Sequence, residues 1–298
     1  MSEAPIRPPA RVAVIGLGNM GIPMAARLAQ AGYRVVGHDA AAPARERFAR
    51  EVQGGEPAAD LAAAVRGAAV VITMLPDGKI VRAVIDAMRP HLSPDAVIID
   101  MSSSDPVATR ALGEELIAAG IRFIDAPVSG GVKRAVDGSL AIMAGGNGAT
   151  IDAVEPLLTA MGKSIFRTGP LGSGHAMKAL NNYVSGAGLV AAVEALRVGQ
   201  AFGLDPNVMT DVLNASTGRN NSTEVKLKQF VISETFASGF SIGLMAKDIR
   251  TADELAAAVG VPAPLADSTA ALWDEAARSL GSAADHTAVA RYVKGHIG

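Results

Sequence analysis

The sequence predicts an α/β fold in which a doubly wound parallel sheet is followed by an all-α domain, joined through a long helix. In residues 11–168 short β-branched runs alternate with helical patterns, which is typical of a parallel sheet. A glycine-rich motif follows the first of these runs at once, and from residue 175 onward the periodicity is purely helical. We therefore divide the chain into a flexible tail at 1–10, an α/β domain at 11–168 and an all-helical domain at 169–298.

Length and composition restrict the classes of protein to which the chain can belong. Its 298 residues leave room for about two domains, and its net charge of −2 with scattered basic residues argues against nucleic-acid binding. The absence of cysteine excludes disulfides and thiol catalysis, and the five histidines show no pair at metal-ligand spacing, so we predict no metal. Residues 1–10 lack the apolar region of a signal peptide, and charges interrupt the most apolar helical window. We expect a soluble, cytoplasmic protein that does not bind membranes.

A glycine-rich loop stands between the first predicted strand, 11–15, and the helix predicted at 20–31. In this strand–loop–helix context, the G-x-G-x-x-G spacing of GLGNMG is the fingerprint of a dinucleotide-binding, Rossmann-type domain, although a plain tight turn can match it by chance. Gly16 permits the sharp turn, Gly18 lets the backbone approach a pyrophosphate, and Gly21 lets the helix pack closely on the strand. The predicted cofactor loop consists of Gly16, Leu17, Gly18, Asn19, Met20 and Gly21.

Asp39 ends the second predicted strand, 33–38, and stands 21 residues beyond Gly18. A carboxylate at this place can accept hydrogen bonds from a ribose 2′-hydroxyl but would repel a 2′-phosphate. Two like charges about 4 Å apart cost about 4 kcal/mol at an effective dielectric constant near 20. Arg45 and Arg47 follow closely, and we interpret them as a solvated helix face. The sequence therefore favours NAD over NADP.

The alternation of strands and helices continues to residue 167. Further strands are predicted at 70–74, 96–100, 121–125, 140–143 and 164–167, and helices at 57–66, 80–88, 150–161 and from 106 onward. Ligands of such sheets bind beyond the carboxyl ends of the strands. We therefore predict that Leu75, Pro76 and Ser103 contact the cofactor.

A second glycine-containing loop follows the strand predicted at 121–125. In it, Ser129, Gly130 and Gly131 can direct a hydroxyl and successive backbone N–H groups at an anion. The alternative is a plain turn between strands. The first interpretation makes these three residues candidates for substrate binding.

The helical half begins with a glycine-rich turn that leads into a helix predicted to run to about residue 202. Lys178 and Asn182 stand four residues apart near its start and so share one helix face. A lysine at the mouth of an apolar helix is either a solvated end or a functional group. The same choice applies to Lys247, which lies beside Asp248 in an apolar segment. The remaining helices are predicted at 205–215, 223–232, 243–259, 264–280 and 287–293.

Together these motifs resemble the β-hydroxyacid dehydrogenase family, which includes 3-hydroxyisobutyrate dehydrogenases and tartronate semialdehyde reductases. The resemblance runs from residue 11 almost to the end of the chain. Four segments carry it: 16–24 resembles the cofactor signature, 125–131 the substrate loop, 169–182 the catalytic signature and 243–248 a C-terminal segment that contacts the cofactor. It implies that Lys178 is the essential lysine, with Asn182 beside it, and that Lys247 contacts the cofactor.

The chain departs from the family pattern at two positions, and a third feature bears on the substrate. Ile80 stands where the family often has an asparagine that contacts the cofactor, and Asn220 stands where an aromatic residue often follows Gly-Arg. Lys133 and Arg134 follow the substrate loop. They either favour a second anionic or polyhydroxy group on the substrate or belong to solvated surface.

The resemblance implies an NAD-dependent oxidoreductase that reversibly oxidises a short β-hydroxycarboxylate, with Lys178 as proton donor and acceptor. Burial and the positive nicotinamide ring would favour its neutral amine. Candidate substrates include 3-hydroxyisobutyrate, glycerate with tartronate semialdehyde, serine, 4-hydroxybutyrate and threonate. Two alternatives stay open: an imine or semialdehyde (succinic semialdehyde-type) reductase of the same fold, and a non-catalytic dinucleotide-binding sensor. The small-residue helix faces suit close subunit packing, so we expect a homodimer or homotetramer.

Overall fold

The structure, a computed structural model, describes residues 4–296 and consists of two compact units. The first unit ends at Lys178 and the second begins at Ala179. This boundary lies ten residues beyond the predicted 168/169 division, because a continuous helix, Ser173–Phe202, crosses it. The first turns of that helix pack with the sheet-containing unit and the remainder with the helical unit.

The first unit is built on one sheet whose central part is parallel. Its strands are β1 (Arg11–Ile15), β2 (Arg34–His38), β3 (Glu56–Pro57), β4 (Val70–Thr73), β5 (Val97–Asp100), β6 (Arg122–Asp125), β7 (Val128–Ser129), β8 (Leu140–Gly145) and β9 (Gly162–Gly169). The spatial order is β3-β2-β1-β4-β5-β6-β8-β7, and β9 pairs with β8. The order reverses between β1 and β4, where doubly wound sheets bind their ligands.

One edge of the sheet differs from the wholly parallel prediction. Strand β8 runs antiparallel to β6 and to the short strand β7, which was predicted as loop. Strand β8 lies between β6 and β7, and only ten residues, 130–139, connect it to β7, fewer than the dozen or so of a usual parallel crossover. The doubly wound fold is confirmed, and its sheet is mixed at this edge.

Seven helices connect these strands, and side chains cap several of them. They are α1 (Gly21–Gln30), α2 (Ala42–Glu51), α3 (Leu61–Val65), α4 (Gly78–Met88), α5 (Pro106–Ala118), α6 (Gly131–Asp137) and α7 (Gly148–Met161). Asp60 accepts a hydrogen bond from Ala63 N–H, so α3 starts later than the helix predicted at 57–66. Helix α6 was not predicted, because its seven residues are too short for a clear helical period.

The sheet is covered on both faces, as a parallel sheet requires. Alternate residues of β1 show this directly. Val12 and Val14 pack into one buried apolar cluster, whereas Ala13 and Ile15 pack into another. Two cores therefore hold the strand ends in fixed positions.

The described part of the predicted tail, residues 4–10, is held against the first unit. Ile6 N–H donates to Ala153 O at 2.7 Å, and Tyr33 Oη donates to Ile6 O at 3.1 Å. Arg34 Nε also donates to Pro9 O at 2.8 Å. These bonds differ from the loose conformation that the prolines suggested, and residues 1–3 lie outside the described part.

The second unit is helical, as predicted. It contains most of α8 (Ser173–Phe202), followed by α9 (Pro206–Ala215), α10 (Asn221–Val225), α11 (Ile242–Ala258), α12 (Pro264–Leu280) and α13 (Val289–His296). The helix predicted at 223–232 divides into α10 and a π-helical turn, Leu227–Ile232, where Val231 N–H donates to Lys226 O five residues back. No helix within residues 4–296 is long and apolar enough to cross a bilayer.

A buried aromatic pair lies in the core of the helical unit. Trp273 is fully buried, and its ring stacks on that of His286 with centroids 6.4 Å apart. His286 Nδ1 lies 3.0 Å from Ser238 Oγ and 3.2 Å from Phe240 O. Burial, reinforced by the charge of Lys226, lowers the pKa of His286 to about 4. This histidine is therefore neutral in the folded protein at neutral pH.

We predict that His286 makes the stability of the helical unit depend on pH between 6.5 and 4. Below its ordinary pKa of 6.5 the unfolded chain binds a proton that the folded chain rejects until about pH 4. The stabilisation is therefore complete above pH 6.5 and lost as the pH falls, by up to about 3 kcal/mol. Urea unfolding of the wild type and His286→Gln at several pH values measures the difference. Parallel pH curves for the two proteins would contradict the assignment.

Candidate functional site

The glycine-rich loop between β1 and α1 is closed by protein on two sides and open on a third. A Cβ added at Gly16 would lie 2.2 Å from Met74 O, and one at Gly21 would lie 1.9 Å from Gly16 O. Gly16 also has a φ of +100°, which favours glycine. A Cβ at Gly18, by contrast, would meet no protein atom within 4 Å. The space beside Gly18 is therefore available to a ligand.

The start of α1 has the properties of an anion site. Met20 precedes the helix and supplies no side-chain hydrogen bond to its first N–H groups. Uncapped N–H groups and the helix dipole attract negative charge. The open side at Gly18 and the uncapped helix start together fit the pyrophosphate of a dinucleotide.

Asp39 lies beside this loop at the carboxyl end of β2. Its Oδ2 accepts a hydrogen bond from Leu17 N–H and its Oδ1 one from Ala41 N–H, both at 2.8 Å. Arg45 is half-buried and donates to the carbonyl oxygens of Asp39 and Ala40, so it is not part of a solvated helix face as we predicted. Arg47 is also half-buried, pairs with Glu51 and donates to Asn19 Oδ1 of the cofactor loop at 3.5 Å. The carboxylate of Asp39 is thus fixed next to the cofactor loop.

The loops that follow β4 and β5 are hydrogen-bonded to each other. Leu75 N–H donates to Ser102 Oγ at 2.9 Å. Buried Asp100 accepts bonds from Ser102 N–H and Ser104 Oγ. Sequence reasoning missed this role of Asp100, whose signal was a carboxylate at the end of a buried strand. The predicted cofactor residues in these two loops are Leu75, Pro76 and Ser103.

Asp125, at the carboxyl end of β6, holds the start of α8. Its fully buried carboxylate accepts bonds from Gly172 N–H at 2.7 Å and His175 N–H at 2.8 Å. The imidazole of His175 is in turn 2.9 Å from Thr109 Oγ1. Burial raises the pKa of Asp125, while His175 and the two amides oppose this rise. Lys178, half-buried one turn after His175, therefore projects from a helix start that is fixed to the sheet.

The predicted substrate loop lies just after β6, at the edge of the sheet. Ser129 is part of β7 and pairs with Ala141, so it lies in a short strand and not in a free loop. Gly130 and Gly131 have φ values of +130° and +67°, which explains why both are glycine. A Cβ at Gly131 would meet no atom within 4 Å, so this position is open. The structure thus leaves accessible backbone where α6 begins.

Asn182 lies one helical turn beyond Lys178 on α8 and is buried. Its Nδ2 donates to Asp248 Oδ2 at 2.6 Å, and Lys247 Nζ lies 3.5 Å from Asp248 Oδ1. The predicted residues Asn182 and Lys247 are therefore brought together through Asp248. We had not predicted Asp248 as a site residue, although its place beside Lys247 in an apolar segment was the available signal. Among residues 4–296, no cluster of three His, Asp or Glu side chains is arranged to hold a metal ion.

Two known protein families match this chain, and both are described by NAD binding. The family described as the NAD binding domain of 6-phosphogluconate dehydrogenase matches residues 11–169. The family described as the NAD-binding domain of NADP-dependent 3-hydroxyisobutyrate dehydrogenase matches residues 172–293.

Similar proteins of known name cover nearly the whole chain. A 2-(hydroxymethyl)glutarate dehydrogenase of Eubacterium barkeri is 35% identical over 91% of this chain and 90% of its own. An NAD-dependent L-serine dehydrogenase of Pseudomonas aeruginosa is 33% identical over 88% and 91%. The solved structure of Mycobacterium tuberculosis 3-hydroxyisobutyrate dehydrogenase with L-serine has a TM-score of 0.89 and 33% identity over 96% of this chain and 99% of that one.

The fold and the matched families define an NAD-binding oxidoreductase that acts on CH–OH groups. The chain belongs to the β-hydroxyacid dehydrogenase family. The resemblance recognised from the sequence motifs is thereby confirmed, as is the prediction of NAD.

We predict that Gly18→Ala weakens NAD binding without destabilising the protein. The new methyl group meets no protein atom, so the melting temperature should not change. It occupies the space assigned to the pyrophosphate, and we expect affinity for NAD to fall about tenfold or more, from the loss of close backbone approach. Titration calorimetry with NAD measures this. Gly148→Ala, at another open glycine, is the control, and an unchanged affinity in Gly18→Ala would contradict the placement.

Proposed function

We propose that this protein reversibly oxidises a short β-hydroxycarboxylate with NAD, and that Lys178 exchanges the hydroxyl proton. One observation carries the proposal. Strands β1 and β6 are parallel members of one sheet, so the cofactor loop after β1 and Asp125 after β6 lie at the same edge. Asp125 fixes the start of α8, and with it Lys178, at that edge.

We assign the residues at this edge to parts of NAD as the sequence predicted. The glycine loop, Gly16 to Gly21, would hold the pyrophosphate, and Asp39 would hold the adenosine ribose. Leu75, Pro76 and Ser103 would border the cofactor, and the family resemblance assigns Lys247 a contact with it as well. When bound, NAD supplies the hydride acceptor.

Lys178 is the proposed proton-transfer group. In the oxidative direction its neutral amine accepts the proton of the substrate hydroxyl, and in reduction its ammonium donates a proton to the developing alkoxide. Asn182 lies one turn further along the same helix, with one Nδ2 hydrogen engaged by Asp248. Its second Nδ2 hydrogen is available to orient a substrate oxygen. The pair thus combines proton transfer with orientation.

The proposed carboxylate site is formed by Ser129, Gly130 and Gly131. Accessible backbone at Gly131 and the hydroxyl of Ser129 can donate hydrogen bonds to a substrate carboxylate. Binding that group fixes the carbinol carbon relative to the cofactor, which lowers the entropic part of the barrier. The relatives named for 2-(hydroxymethyl)glutarate, L-serine and 3-hydroxyisobutyrate all act on compounds that contain a carboxylate near a hydroxyl.

Two other functions compete with this proposal. A dinucleotide-binding sensor would need no lysine at the start of α8, and an imine reductase of this fold would generally lack it. Oxidation of a panel of hydroxyacids, followed by NADH absorbance with NAD and with NADP, separates these functions. NAD binding without turnover across the panel would favour the sensor. A preference for NADP would contradict the role given to Asp39.

We also propose a homo-oligomer assembled through the helical unit. Val198 and Phe202 on α8 are 72% and 85% exposed, and Val208 and Val212 on α9 are 60% and 58% exposed. In each helix the two residues stand one turn apart and share a face, and such exposed apolar faces mark association surfaces. Sedimentation equilibrium should show a dimer or tetramer that Phe202→Asp dissociates. Val107→Asp, a change at an exposed apolar residue of α5, is the control, and a wild-type monomer would contradict the proposal.

We predict that Lys178→Ala strongly reduces turnover while NAD still binds. Loss of a general acid–base group lowers kcat by about 10²- to 10⁴-fold. Steady-state kinetics gives kcat, and calorimetry gives the affinity for NAD. Lys163→Ala, which removes an exposed lysine of β9, is the matched control. Retention of most of kcat in Lys178→Ala would contradict the assigned role.

A further inference from the structure

Lys226, in the helical unit, is a half-buried lysine that forms no ion pair within residues 4–296, although the charge of Asp285 acts on it from further away. Its Nζ donates to Ser185 Oγ at 3.1 Å. Burial lowers the pKa of Lys226 to about 8, and Asp285 opposes the fall. At neutral pH the ammonium is therefore mostly charged, although its surroundings disfavour the charge.

The nearby carboxylate is already occupied. Oδ1 of Asp285 accepts bonds from the backbone N–H and hydroxyl of Thr287. Its Oδ2 accepts bonds from Gly239 N–H and Ser238 Oγ. These four donors leave Asp285 little capacity to neutralise Lys226. Partial burial of a charge that forms no ion pair costs free energy, so Lys226 lowers the stability of the folded protein.

A neighbouring lysine shows the ordinary arrangement. Lys228, two residues further along and inside the π-helical turn that Lys226 precedes, is exposed and pairs with Asp211 at 2.5 Å. Both lysines belong to one short segment, yet only Lys226 turns inward and, among the residues described, forms no ion pair. Asp285 attracts it without bonding to it, so its environment favours a further anion at hydrogen-bond distance.

The position of Lys226 relates this missing anion to the proposed substrate. Ser185, which accepts its hydrogen bond, stands three residues after Asn182 on α8. Residues three apart share a helix face and are separated by about 4.5 Å along the axis. The ammonium thus lies along the same face of α8 as the amide that we assign to substrate orientation.

We propose that Lys226 binds a second carboxylate of the substrate, so that the preferred substrates are β-hydroxycarboxylates that carry two carboxylates. This inference rests on the proposed function. Lys133 and Arg134, which the sequence also offered for a second anion, are both exposed on α6. Lys133 and Arg134 are therefore surrounded by solvent, whereas Lys226 is half-buried, as expected of a group that binds a ligand.

The test compares two substrates that share one reacting part. 3-Hydroxyisobutyrate and 2-(hydroxymethyl)glutarate have the same hydroxymethyl carboxylate, and the methyl group of the first is replaced by a carboxyethyl group in the second. 2-(Hydroxymethyl)pentanoate, with a propyl group at that place, controls for size. We expect the wild-type kcat/KM with NAD to be higher for the dicarboxylate than for either monocarboxylate.

The variant Lys226→Met should lose this preference. We expect kcat/KM for the dicarboxylate to fall about 10- to 100-fold, mainly through KM, because one charge-assisted hydrogen bond is lost. Values for both monocarboxylates should change little, and Lys226→Arg should restore part of the preference. Lys228→Met is the matched control and should behave as the wild type. The melting temperature of Lys226→Met should equal or exceed that of the wild type, since a costly buried charge is removed.

Four outcomes would overturn the inference. Equal losses on all three substrates, or a lower melting temperature with an unchanged preference, would make Lys226 a structural residue. Wild-type turnover of 3-hydroxyisobutyrate without a preference for the dicarboxylate would overturn this inference and leave the proposed function intact. NAD binding without turnover of any of the three, or of the wider hydroxyacid panel, would overturn both.

Discussion

The carboxylate of Asp125 is the group on which the proposed catalytic geometry depends. It lies at the end of β6 and accepts the N–H groups of Gly172 and His175, which would otherwise be unsatisfied at the start of α8. The backbone of α8 approaches this carboxylate so closely that position 174 requires glycine. A Cβ at Gly174 would lie 2.8 Å from Asp125 Oδ2 and 2.2 Å from Met143 O. The glycine-rich turn before Lys178 therefore brings backbone close to a buried carboxylate, which makes the helix start rigid.

Buried and half-buried carboxylates have the same use in both units. Asp39 holds the backbone of the cofactor loop, Asp248 holds the amide of Asn182, and Asp285 accepts four donors near His286. Each is engaged with amides or hydroxyls, whose hydrogen bonds offset its desolvation. Asp285 is engaged in this way with four donors, and Lys226 forms no ion pair with it. The arrangement favours rigid positioning of polar groups and leaves a positive charge for an anionic ligand.

Much of the fold and part of the site could be predicted from local sequence. The glycine loop, Asp39 and the Lys178–Asn182 pair were recognisable because each depends on spacing within one strand–loop–helix unit or one helix. Strand β7 and helix α6 escaped prediction because both are too short to show a period. The role of Arg45 was also misjudged, since its bonds to Asp39 and Ala40 depend on how the side chain folds back over its own loop.

The sequence by itself determined the α/β class, the NAD-binding loop and the presence of a lysine at the start of a long helix. Only the tertiary structure decided what holds those residues and which charges remain without partners. Asp125 bonds residues 47 and 50 positions away, Asn182 bonds Asp248 66 positions away, and Lys226 bonds Ser185 41 positions away. Such partners are chosen by the order of strands and the packing of helices. Local periodicity carries no information about either, because it records only which face of an element is buried.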